Sequence, residues 1–171
     1  MALRHYFPFS FHTKFGKTFP VVKDFFEQLR KEEGNTLPVG AAGFCWGGKH
    51  IFLLANTDEH STQDGKPLID AGFAGHPSRL KIPGDIEAVS VPISVAVGDK
   101  DNQISAQQAE QIKTTFEAKL PAAKGEIRVY KGAGHGFCVR GELKENKEEA
   151  RQANEAEDQC IAWFNAKLKT V

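Results

Sequence analysis

The chain has 171 residues, 40% of them hydrophobic, enough for one domain with a buried core. Lys plus Arg and Asp plus Glu number 22 each, so no global field draws it to nucleic acid or to an anionic membrane, and no apolar stretch reaches membrane-spanning or signal-peptide length. Three cysteines, at 45, 138 and 160, form no C-x-x-C pair, which argues against a disulfide framework and for a reducing, cytoplasmic setting.

Residues 1–17 are rich in aromatics, but Pro8, His12 and Gly16 break any periodicity, and no regular element is expected there. From Thr18 the spacing of Val22, Phe25, Phe26 and Leu29 predicts an amphipathic helix with Pro20 in its first turn and Gly34-Asn35 as its stop. Leu37 to Ala42 reads as a strand, and 46–55 as a helix. Leu68 to Gly75 and Val91 to Val97 are further apolar strands without alternation, the pattern of a parallel sheet covered on both faces. Ser105 and Gln108 predict a capping box opening a helix with Ala109, Ile112, Phe116 and Leu120 on its inner stripe, ended by Pro121. Glu126 to Tyr130 is a fourth strand. A last helix over about 145–169 turns Ala150, Ala153, Ala156, Cys160, Phe164 and Leu168 inward. The alternation predicts an α/β domain over 1–171 with a mostly parallel sheet of about four strands flanked by helices.

Between the first strand and its helix lies Gly43-Phe44-Cys45-Trp46-Gly47-Gly48. A strand, a tight turn carrying Cys45 and a helix make the layout of a nucleophile elbow, in which Gly43 and Gly47 keep strand and helix from colliding. Gly43 and Gly48-Lys49 also fit the first seven positions of a phosphate-binding P-loop, but His50 stands where a Ser or Thr would hold magnesium. The plainest reading is a tight turn with a buried cysteine.

The rest of the chain separates these readings. Ligands of parallel α/β sheets bind beyond the carboxyl ends of the strands. Cys45, Asp101 and His135 each sit just past a strand, in the order nucleophile, acid, histidine. A P-loop has no use for the last two, although Asp70 could pass for a weak second magnesium motif. No cofactor or metal is expected, because His135 and Cys138 have no further ligands at site-like spacing.

Gly43-Phe44-Cys45-Trp46-Gly47-Gly48-Lys49, Gly75-His76-Pro77-Ser78, Gly98-Asp99-Lys100-Asp101 and the run Gly134 to Gly141 together resemble the dienelactone hydrolase family of the α/β-hydrolase superfamily, across roughly 18–168. The resemblance implies carboxymethylenebutenolidase-like hydrolysis of a small carboxylate-bearing ester or lactone. It implies Cys45 as nucleophile, Asp101 rather than Asp99 as triad acid, and His135 as base. Trp46 is the expected oxyanion donor through its amide, Arg140 the expected substrate-carboxylate partner, and His76 a residue at the pocket border. It further implies strands upstream of Leu37 that residues 1–36 do not supply, and with them a second oxyanion donor. The first strand would then form an exposed sheet edge, open to self-association. A non-catalytic chain that binds a partner through that edge is the alternative function, with the P-loop reading third.

Overall fold

The computed structural model describes residues 14–140 and 147–169. Its four strands, β1 (Gly40–Phe44), β2 (Ala71–Gly75), β3 (Ile93–Lys100) and β4 (Glu126–Gly134), lie side by side in that order and all pair in parallel. The helices are α1 (Phe15–Lys31), α2 (Trp46–Leu54), α3 (Gly84–Glu87), α4 (Ala106–Ala118), α5 (Phe137–Arg140) and α6 (Lys147–Lys167). A larger core cluster joins α1, α2, α3 and α4 to the sheet through Phe19, Phe52, Ile86, Val95, Ile112 and Phe116. A smaller one, with Phe73, Ala96, Tyr130, Phe137 and Ala156, lies between the other face and α5 and α6. Every residue of β2 and the first six of β3 are buried, as expected of strands covered on both faces.

Helix α1 starts at Phe15, a turn earlier than expected, and carries Pro20 inside it. At the start of the helix the Lys17 and Thr18 amides both donate to the Lys14 carbonyl. Phe15 and Phe19 also stack on Trp46 and His50. Val22, Phe26 and Leu29 pack on the core, whereas Phe25 is 62% exposed and not part of the inner stripe. Strand β1 begins at Gly40, leaving Leu37 outside it.

Helix α4 carries the expected capping box: the Gln108 amide donates to Ser105 Oγ at 3.2 Å and the Ser105 amide to Gln108 Oε1 at 2.9 Å. Leu120 departs from expectation. The residue before a proline avoids helical backbone, so Leu120 is extended ahead of Pro121 and 79% exposed. Strand β3 runs three residues past Val97, to Lys100, because its pairing with β4 resumes at Lys100 and Gly134 after a register shift. Gly98 allows this: a Cβ there would strike the Ala133 carbonyl. Cys160 packs beside the smaller core, as expected. Gln159 ties α6 to two strands, accepting from the Tyr130 hydroxyl at 2.8 Å and donating to Ser94 Oγ at 2.8 Å.

Candidate active site

Cys45 occupies the turn between β1 and α2 with φ 51° and ψ −118°, a conformation a side chain adopts only when its surroundings enforce it. The surroundings are backbone hydrogen bonds. The Cys45 amide donates to the Gly75 carbonyl at 3.1 Å, and its carbonyl accepts from Gly48 at 3.1 Å and Ser78 at 3.0 Å. Gly43 must lack a side chain because a Cβ there would run into the Gly47 carbonyl. Gly47 itself faces open space, so the expected crowding falls instead on Gly48, whose Cβ would lie 2.7 Å from Pro77.

His135 Nε2 stands 3.2 Å from Cys45 Sγ, and His135 Nδ1 stands 3.0 Å from both carboxylate oxygens of Asp101. The Asp101 side chain is wholly buried, and its Oδ1 also accepts from the Gln103 amide at 2.7 Å. Asp99 does not reach the histidine: its Oδ1 accepts from the Gly132 amide at 2.6 Å, fastening the exits of β3 and β4. Three strand exits thus deliver one relay of thiol, imidazole and carboxylate. Such a relay can carry a proton from sulfur to nitrogen while the carboxylate balances the imidazolium.

His76 is fully buried at the exit of β2, its ring edge-on to that of His135 with centroids 5.1 Å apart. Trp46 opens α2, its indole stacked on Phe15 at 5.7 Å. Arg140 ends α5, and its side chain lies outside the described residues, as do residues 1–13. Ser78, to which the sequence alone gives no role, has its Oγ 3.9 Å from Cys45 Sγ. The signal was its place after Gly75-His76-Pro77, at a strand exit beside the elbow.

The competing phosphate-loop features are spoken for. Lys49 is buried, with Nζ 2.5 Å from Asp85 Oδ1. His50 packs among Phe15, Phe19 and Trp46. Asp70 accepts from Arg30 at 2.8 Å and from the Val39 amide at 2.6 Å. Burial pushes the thiols of Cys138 and Cys160 up to about 12 and about 11. Among the described residues no three His, Cys, Asp or Glu side chains converge as a metal site requires, and no helix is long and apolar enough to cross a membrane.

The model of the dienelactone hydrolase family matches residues 10–168. The chain belongs to that family. A fungal relative, the hydrolase TropI of Talaromyces stipitatus, is 30% identical over 152 residues, which are 88% of this chain and 54% of that protein. An Escherichia coli protein named as a carboxymethylenebutenolidase is 33% identical over 102 residues, 56% of this chain and 35% of its own. This dienelactone hydrolase family chain therefore spans about half the length of the first relative and about a third of the second. A Klebsiella pneumoniae crystal structure bearing the dienelactone hydrolase name shares the fold, with a TM-score of 0.67 at 21% identity over 88% of this chain and 61% of that one.

Proposed function

We propose that this protein hydrolyses a small ester or lactone through a thioester acyl-enzyme, acting as one domain. The observation that carries the reading is the hydrogen-bonded series Cys45, His135, Asp101, closed at 3.2 and 3.0 Å. The Cys45 thiol gives its proton to His135 Nε2, and the thiolate adds to the substrate carbonyl carbon. Asp101 holds the Nδ1 proton and balances the imidazolium charge. The Trp46 amide, first in α2, donates to the developing oxyanion, with the positive end of the helix behind it. His135 then returns the proton to the leaving alkoxide, leaving an acyl thioester. Water attacks that thioester with His135 as base, the carbon–sulfur bond breaks, and the thiol is restored.

Arg140 is the proposed partner of a substrate carboxylate, on the family resemblance, and the proposed place of His76 at the pocket border draws support from its ring contact with His135 alone. The test is hydrolysis of p-nitrophenyl acetate by the folded full-length protein. Turnover that disappears in Cys45→Ala supports the reading; no turnover in the unsubstituted protein overturns it.

A second reading draws on β1. Among the described residues it pairs with β2 alone, and its residues alternate between exposed and buried. An open edge of this kind accepts a further strand, which would let the chain associate with itself. Sedimentation decides it: a monomer at high concentration excludes self-association through β1.

A further inference from the structure

Resting on the hydrolase reading, we propose that Ser78 is a positioning residue for the nucleophile, its hydroxyl giving the Cys45 thiolate a second hydrogen bond once the proton has moved to His135. Ser78 is 7% exposed, and its Oγ has Cys45 Sγ, at 3.9 Å, as its one side-chain hydrogen-bond partner among the described residues; it accepts from the thiol there, and the hydroxyl turns to donate once the sulfur is a thiolate. A buried hydroxyl with a single partner is committed to that partner. Sulfur's large radius makes the contact long, and a negative charge on Sγ strengthens and shortens it.

The backbone shows that this placement is built. The loop leaving β2 is sewn to Cys45 at both ends, by the Cys45 amide on the Gly75 carbonyl and the Ser78 amide on the Cys45 carbonyl. Ser78 lies between two non-glycine residues with left-handed backbone, His76 at φ 35° and Arg79 at φ 60°. Strain of this sort persists where the surroundings over-determine it. Pro77 fills the space that Gly48 leaves open, so loop and elbow interlock.

The charged and titratable groups around Sγ have other attachments. His135 holds Asp101, His76 packs behind His135, and on α2 Lys49 is paired with Asp85 while His50 packs among aromatic rings. Ser78 is left as the neutral donor that reaches the sulfur. In the resting state the thiol proton has two acceptors within reach, His135 Nε2 at 3.2 Å and Ser78 Oγ at 3.9 Å. After transfer, two donors face the thiolate, the imidazolium Nε2–H and the Ser78 hydroxyl.

The test is the rate at which iodoacetamide alkylates Cys45 in the full chain, followed by mass spectrometry of the Cys45 peptide. In Ser78→Ala that rate should fall roughly tenfold at about pH 7, the effect of one hydrogen bond to a charged group, and should match the unsubstituted chain at about pH 10, above the ordinary range of a thiol. Ser78→Thr, which keeps the hydroxyl, should restore the neutral rate. Should the alanine chain not fold, Ser78→Val stands in for it, because Val and Thr share a shape and differ in the hydroxyl. An unchanged neutral rate, or a fall of equal size at both pH values, overturns the proposal. Alkylation reads the sulfur and not turnover. A chain that alkylates as expected but leaves p-nitrophenyl acetate intact overturns the hydrolase reading and keeps this one.

Discussion

His135 Nδ1 is equidistant, at 3.0 Å, from the two carboxylate oxygens of Asp101, so one side of the imidazole is committed to the acid and the other is left for Cys45. Replacing Asp101 with Asn keeps the size of the side chain and removes the charge that favours a proton on Nδ1. Esterase kcat should drop at least about a hundredfold, the scale of a lost general base, with little change in KM. A variant that retains near-normal kcat would remove Asp101 from the relay.

Burial separates the three thiols chemically. Cys138 and Cys160, raised to about 12 and about 11, stay protonated at neutral pH, while Cys45 Sγ lies 3.2 Å from His135 Nε2, the proposed proton acceptor. With limiting iodoacetamide at neutral pH, Cys45 should be modified before the other two, because the thiolate is the reactive form. Peptide mapping that found Cys138 or Cys160 labelled first would contradict the assignment.

The elbow glycines should respond oppositely to alanine. Gly43→Ala drives a methyl into the Gly47 backbone, which has no side chain to move aside, and should cost about 1–3 kcal/mol or more. Gly47→Ala adds a methyl in open space within the first turn of α2, where helix propensity favours alanine, for a gain of under about 1 kcal/mol. Urea unfolding of the two variants checks both signs.

Acid should weaken the fold through its packed histidines. Burial, helped by the Lys49 ammonium, holds the His50 ring below its ordinary value, and burial lowers His60 as well. An unfolded histidine takes up a proton near pH 6.5 while the folded ring does so only lower down. Stability is therefore full above about pH 6.5 and falls as pH drops through that window. The urea midpoint should decrease between about pH 7.5 and about pH 5.5, and His50→Phe should shrink that decrease.

Much of this was legible in the residues, for identifiable reasons. Unbroken apolar runs identified β2 and β3, the Ser105 and Gln108 pair identified the start of α4, and the order of Cys45, Asp101 and His135 named the three residues that meet. Other features depended on contacts between distant segments. Phe15 begins a helix because Trp46 and His50 offer it rings to pack on, which no local pattern shows. Gly48 rather than Gly47 is crowded because Pro77 approaches from another strand exit. Ser78 meets Cys45 for the same reason.

The relay is assembled across the width of the described sheet. Cys45 leaves β1, one edge of the four strands, and His135 follows β4, the other edge, with Asp101 just past β3 and the Ser78 loop leaving β2. No two strands hold the thiol and the imidazole together by themselves. The distance between Sγ and Nε2 is in effect a gauge of all three strand pairings, and slippage at any of them opens it. Fast alkylation of Cys45 should accordingly vanish with the whole sheet during unfolding, in one step with the loss of circular dichroism.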